Sequence, residues 1–350
     1  MIDVLKKKVN NTFTLLSTQP LIRIVLVLLF TIGLIVIWNL TRGAPNVPLL
    51  DLWNALFATD SENTAHFLIN ELRLPRMLLV ICCGGALGIA GVLLQDSLRN
   101  PLADPGLLGV SQGASFIVAF SFIYPELMPN IPLPILCLIS GSLAGIAVLL
   151  LSGMNRSSIR VIICGAIVSS FIGTFTTALV LLAPPDKSVG LAGYFRFVIG
   201  SASGSSWNDL IMLAPWLIVG LSLAFLSGRA LNLLQLGDDH ATGMGLNPFR
   251  IRMFLLLIAM ILISPVIATI GPVSFIALFA PHIARGMLRS SDSRKILLLS
   301  FLFGVVLLTI ADTIGRLLFF PAEVPAGVWT ILIIGPCAIA VVGRTRGNRA

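Results

Sequence analysis

A chain of 350 residues that is 57% hydrophobic and only 11% charged falls far below the ~25% charged share of soluble domains, and no soluble globule of this size can hide that much apolar surface. The apolar runs are long and unbroken, as at 24–38 and 297–310. That excludes the alternating segments of about ten residues in a membrane barrel and calls for helices, whose backbone groups satisfy one another in lipid. The net charge of +8 comes without a basic cluster interleaved with aromatics, so nucleic-acid binding is excluded; the charge lies in short loops, as on the basic edge of a membrane protein.

In chain order, residues 1–20 read as a cytoplasmic segment carrying Lys6, Lys7 and Lys8. The apolar stretch after them lacks a small-residue cleavage pattern, so it is a retained span rather than a signal peptide. Ten spans are expected, at 21–40, 74–96, 105–124, 131–152, 159–183, 207–227, 251–270, 274–289, 296–316 and 326–342, near the roughly 20 apolar residues that cross ~30 Å of hydrocarbon. Gly271-Pro272 leaves open whether spans seven and eight are two helices or one kinked segment. The longest connections on one side are 41–65 and 184–206, and the second suits a short surface helix. With the N-terminus inside, 17 of the 23 Lys and Arg fall on the cytoplasmic side, against Arg42, Arg73, Arg76, Lys187, Arg196 and Arg316 outside. This bias supports an even number of spans with both termini cytoplasmic. The whole of 1–350 reads as one transmembrane domain with its longest inner loop at 228–250.

Small residues four apart, at Gly84 and Gly88, Gly109 and Gly113, and Gly141 and Gly145, allow close helix approach. The five cysteines lie in apolar runs without C-x-x-C spacing and read as small core hydrophobes. Gly109-Val110-Ser111-Gln112-Gly113 matches a hydrolase nucleophile pattern, but that motif needs a strand before it and a helix after; a span beside a proline turn is the wrong place. No Gly is followed by Lys anywhere, so the chain has no P-loop for ATP. His282, after Pro281, stands alone and is expected to bond a nearby partner, while His66 and His240 are expected in loops. The spans hold no paired charges beyond Asp312 and Arg316, one helical turn apart, so a path through them would be mostly neutral.

RLPR at 73–76, Gly88 to Gln95, NPLADPGLLGVSQGA at 100–114, LGDDHATGMGL at 236–246, GPVSFIALFAPHIAR at 271–285, ADTIGR at 311–316 and EVPAGV at 323–328 occur in order over nearly the whole chain. Together they resemble the FecCD/BtuC-like permeases of ATP-binding-cassette importers for iron-siderophores, haem and cobalamin. The resemblance implies an all-α polytopic membrane protein with about ten transmembrane helices in the BtuC-like type II importer fold. It also implies several site residues. Leu236, Gly237, Asp238, Asp239, Ala241, Gly243 and Gly245 would form the coupling helix that docks on an ATPase subunit; the plain alternative is a solvated loop. Asn100 and Leu102 would be cytoplasmic gate residues, or simply parts of a turn restricted by Pro101 and Pro105. Arg73, Arg76 and Arg316 would face acidic residues of an extracytoplasmic binding protein, or act as anchors at helix ends. Ala277 stands where the family often has Gly.

The function implied is that of a non-catalytic permease subunit in the bacterial inner membrane. It would bind no metal or cofactor itself, and ATP and Mg would sit on the ATPase. Its partners would be a second permease subunit in a homo- or heterodimer, two ATPase subunits, a binding protein and lipid. FIALFAPHIAR and GDDHA look closest to ferric-siderophore permeases, with a catecholate chelate as the reading; haem or cobalamin import is the alternative. An ion-coupled secondary transporter would show buried ionisable residues near the midplane, which these spans lack.

Overall fold

The computed structural model describes residues 2–43, 45–57, 64–153, 158–184 and 187–337, and among these every regular element is helical. Helix α1 is Ile2–Thr41 and α2 is Leu49–Phe57. A short α3, Thr64–Phe67, runs through a π-helical turn, Leu68–Arg73, into α4, Leu74–Ser97. Pro75 explains the turn: it has no N–H to give the Glu71 carbonyl, and a wider π turn absorbs the lost bond. The second span therefore begins earlier than expected, at Ala65.

Then come α5 (Val110–Ile123), α6 (Leu133–Ser152), α7 (Ser158–Leu181), α8 (Ser188–Val198), α9 (Trp207–Leu226), α10 (Gly228–Gln235), α11 (Asp238–Gly243), α12 (Pro248–Ile270), α13 (Ile276–Leu288), α14 (Ser293–Leu317) and α15 (Ala326–Trp329), which continues as a π turn, Thr330–Ile334. Among the described residues seven helices are long and apolar enough to cross a membrane. Three shorter apolar helices, Val110–Ile123, Ile276–Leu288 and Ala326–Cys337, occupy the other three expected positions. Gly271-Pro272 lies in an irregular stretch between α12 and α13, so the two are separate helices. The short surface helix expected within 184–206 is α8. His66 and His240 lie in short helices rather than loops. Arg156, Arg344, Arg346 and Arg349 of the charge pattern, and residues 338–342 of the last expected span, fall outside the described residues.

Helix α4 is the centre of the molecule. Its best span window is 83% buried, whereas that of α1 is 6% buried. It packs against α9, α12, α13 and α14. The sequence permits this through glycine: a Cβ at Gly84 would lie 2.5 Å from the Gly304 carbonyl oxygen of α14, and one at Gly88 would strike the Ser300 carbonyl. Gly91 meets the Ala277 carbonyl of α13 in the same way. Gly84 faces Gly304, Gly88 faces Ser300 and Arg76 faces Asp312, so α4 and α14 run antiparallel in one register. The pairs Gly109/Gly113 and Gly141/Gly145 meet at the α5–α6 seam: Gly113 lies against the Ser140 carbonyl and Gly141 against that of Val110.

Candidate functional site

The buried charged side chains among the described residues, Arg73, Asp96 and Asp312, lie at the two ends of α4, about 36 Å apart at 1.5 Å per residue. At its C-terminal end the helix closes on Arg99, which has φ +48°. Asn100 N–H donates to the Gln95 carbonyl (2.9 Å) and Arg99 N–H to that of Asp96 (3.3 Å). This paired capping pattern normally places Gly at the left-handed position. Arg99 is held there by its side chain, which donates through Nε to the Leu234 carbonyl (2.8 Å) and pairs with the Asp238 carboxylate. Arg252 of α12 also reaches Asp238 (3.1 Å) and donates to the Ser97 carbonyl (2.8 Å). Asp238 thus ties α11 to the ends of both α4 and α12.

The 236–246 segment is a short polar helix, as its composition suggested. Gly237 sits at φ +118°, ψ 155°, a conformation open only to glycine without strain. It turns the chain from α10 into α11. Ala241 is buried and anchors the helix, while Gly245, at φ +81°, ends it. Asp239 and Gly243 are exposed. Leu236 is 60% exposed and Met244 65% exposed, so the segment presents an apolar and acidic face outward.

The turn after α4 separates its two expected gate residues by role. Asn100 works inside the turn: its Oδ1 accepts from Leu102 N–H (3.0 Å) and its carbonyl from Ala103 N–H (3.1 Å). Leu102 projects, 42% exposed. Asp104 accepts from Gly106 N–H (2.9 Å), and burial raises its carboxyl above the usual range while that bond lowers it. Gly109 is a left-handed cap before α5, with no strand, so the G-x-S-x-G match has no nucleophile-elbow geometry.

At the opposite end of α4 the structure brings Arg73, Arg76 and Arg316 together but turns them inward. Arg73 is 7% exposed and donates to the carbonyls of Leu40 (2.7 Å) and Pro45 (2.5 Å). Arg76 spans α14 and the following loop, donating to Asp312 (2.8 and 3.2 Å) and Glu323 (2.9 Å). Arg316 donates to the carbonyl of Asn39 (2.7 Å) and to its side chain (2.8 Å). The expected pairing of Arg316 with Asp312 is corrected: Asp312 faces α4 and takes Arg76, while Arg316 points to α1. The expectation of no other paired charges is corrected too, because Arg76–Asp312 and Arg285–Asp96 (2.8 Å) join different helices. These partners lie 236 and 189 residues apart, beyond any local pattern. His282 stacks on Phe279 with ring centroids 6.4 Å apart instead of making the expected hydrogen bond. Among the described residues no cluster of His, Cys, Asp and Glu is arranged to hold a metal.

Residues 28–344 match the model of the FecCD transport family. The chain belongs to the FecCD transport family. This FecCD-family chain is 32% identical to the Fe(3+)-citrate import system permease protein YfmD of Bacillus subtilis (strain 168), over 91% of its own length and 93% of that protein's. It is 33% identical to the Fe(3+) dicitrate transport system permease protein FecD of Escherichia coli (strain K12), over 93% and 100%, and 34% identical to the hemin transport system permease protein HmuU of Yersinia pestis, over 92% and 96%. Its fold is that of a solved chain described as an inward-facing conformation of a putative metal-chelate type ABC transporter, with a TM-score of 0.80 over 92% of this chain and 99% of that one at 23% identity. The FecCD-family chain is a multi-pass membrane permease.

Proposed function

We propose that the chain is the permease subunit of an ATP-dependent importer of a ferric siderophore in the bacterial inner membrane. The observation that carries this reading is the 236–246 segment: a short helix with an outward apolar and acidic face, bolted through Asp238 to α4 and α12. A docked ATPase would act on the spans through those ties. The chain has no P-loop, so the nucleotide would bind to separate ATPase subunits, with their ATP and Mg. Two permease subunits, identical or similar, would enclose the path, with both termini and α11 on the cytoplasmic side. An extracytoplasmic binding protein would dock on the rim where Arg73, Arg76 and Arg316 gather. As placed, these arginines would shape that rim by tying α1, α4 and α14 together, and Arg76 with Glu323 lies nearest its surface. Leu102 would take the gate position, with Asn100 holding the turn that presents it.

The similarity to permeases named for ferric citrate, hemin, enterobactin and hydroxamate supports a ferric chelate as the cargo class, with the catecholate type as the finer reading. The test is uptake of radio-iron chelates into proteoliposomes holding the chain with its ATPase and binding protein. ATP-dependent uptake of a catecholate chelate, ahead of citrate, hydroxamate and haem, is the expected result. Uptake driven by an ion gradient without the ATPase would overturn the reading.

A further inference from the structure

Gln95 and Asp96, buried polar residues in the last turn of α4, hold α13 in an unusual way. Pro281 has no N–H, so the Ala277 carbonyl one turn earlier in α13 lacks its helical donor. The Gln95 amide stands in: its Nε2 donates to the carbonyls of Leu278 (3.1 Å) and Ala277 (3.4 Å). This approach is close because Gly91, one turn back on α4, has no side chain to push the Ala277 carbonyl away. The other end of the same amide, Oε1, accepts from Arg285 Nη1 (2.5 Å). The second guanidinium nitrogen, Nη2, donates to Asp96 Oδ1 (2.8 Å). Asp96 Oδ2 accepts from the Ser293 hydroxyl at the start of α14 (2.9 Å), and Ser293 Oγ accepts in turn from Gln235 of α10 (2.9 Å). Asp96 is 6% exposed and Gln95 2% exposed. Both are satisfied, and a satisfied buried network holds one arrangement.

Two chains of bonds therefore leave the 228–246 segment and meet at the end of α4, where Arg99 N–H donates to the Asp96 carbonyl and Arg252 to that of Ser97. One runs from Asp238 through Arg99 and Arg252 to the end of α4. The other runs from Gln235 through Ser293 to Asp96. From Gln95 and Asp96 polar links run on into α13, to the Ala277 and Leu278 carbonyls and to Arg285. We propose that Gln95, Asp96 and Arg285 are positioning residues that deliver movement of the 236–246 segment to α13, so that α13 and the end of α4 shift as one unit during transport. This rests on the reading of that segment as the ATPase-docking surface. Helix α13 is suited to such a step. It is short, separated from α12 by irregular backbone, and lacks one helical hydrogen bond at Pro281, so it can move without dragging a full-length span.

The test uses the whole transporter in proteoliposomes, with ATP hydrolysis and chelate uptake measured in the same preparation. Arg285→Gln should leave hydrolysis within about twofold of the parent and lower the chelate moved per ATP by about tenfold, as expected when one link in a coupling network is cut. Arg285→Lys, which can reach only one of the two acceptors, should fall between. Gln95→Leu should uncouple in the same way, and adding Pro281→Ala should recover part of its lost thermal stability, because residue 281 then supplies the missing N–H to the Ala277 carbonyl. An Arg285→Gln transporter with the parental ratio of uptake to hydrolysis would overturn the proposal. So would a parallel loss of both rates, which would make the network a structural tie only. Failure of the parent itself to import with ATP would instead overturn the functional reading.

Discussion

The seam between α4 and α14 offers a sharp test of the packing. An alanine Cβ at Gly84 would lie 2.5 Å from the Gly304 carbonyl oxygen and 3.1 Å from Leu308 Cβ, where ordinary contact begins at 3.4 Å. The first obstacle is backbone, so no rotamer change relieves it, and the helices must part by about 0.9 Å. Overpacking a filled core costs about 1–3 kcal/mol, and a backbone clash belongs at the upper end. Gly33→Ala is the matched control: its Cβ meets nothing within 4 Å, and replacing glycine inside a helix should stabilise by about 0.5–1 kcal/mol. Equilibrium unfolding in mixed micelles, followed by tryptophan fluorescence, should separate the two variants by several kcal/mol at most and in opposite directions from the parent. Gly304→Ala meets the Gly84 carbonyl in return, so the double variant should cost less than the two single costs added, since one parting of the helices serves both. Equal stabilities for Gly84→Ala and Gly33→Ala would refute the close approach of these helices.

Other consequences follow from the charged ends of α4. Asp312→Ala should cost about 3–5 kcal/mol, the range for stripping one partner from a buried pair, because the side chains of Asp312 and Arg76 are only 6% and 13% exposed. Glu323→Ala, with its carboxylate 37% exposed, should cost about 0–1 kcal/mol; the same unfolding assay ranks them, and a reversed order would be fatal to the burial argument. Arg73→Gln should lose about 1–3 kcal/mol by leaving the carbonyls of Leu40 and Pro45 short of donors, and faster protease cleavage after α1 would report the loosened rim. Arg99→Gly removes a left-handed backbone penalty of about 1–2 kcal/mol and an ion pair that is partly exposed. Its thermal midpoint should barely change while uptake per ATP falls, and a simple loss of stability would count against the assigned role of Arg99.

The ten expected apolar segments were legible because they depend on local composition: each needs only a run of apolar residues, and among the described residues a helix lies at each, seven of them long and apolar enough to cross a membrane. The α10–α11 turn was legible for the same reason, since Gly237, Asp238 and Asp239 mark a helix start within four residues. The polar ties were not. Arg99 and Arg252 registered only as cytoplasmic charge, and Gln95 and Arg285 only as the closing residues of two family-like stretches, because nothing near them in sequence names their partners. One clue was available. Pro281 within an apolar helix leaves a carbonyl unsatisfied, and in lipid that carbonyl must find a donor. A buried amide such as Gln95, at the end of a glycine-lined helix, is the kind of side chain that could supply it. The internal partners of the arginines at 73, 76 and 316 were not legible either. Their place at helix ends suggested outward contacts or anchoring, whereas the structure gives Arg73 and Arg316 carbonyls at the end of α1 and beyond it and gives Arg76 the carboxylates of Asp312 and Glu323.

The distribution of these ties says how α4 should behave. Its middle is apolar and glycine-lined, pressed backbone to backbone against α13 and α14, with nothing there to bend it. Its ends carry the charges: Arg76 with Asp312 at one, Asp96 with Arg285 at the other. A helix built this way moves as a stiff strut. The place where it can yield is the π turn at Leu68–Arg73, where Pro75 has already removed one helical bond. Displacement imposed through Asp238 at the C-terminal end should therefore appear at α13 beside it and at the π turn far from it. Hydrogen exchange should show nucleotide-dependent change at 68–73 and 276–288 while residues 80–92 stay protected throughout. Exchange spreading evenly along α4 would rule out the strut.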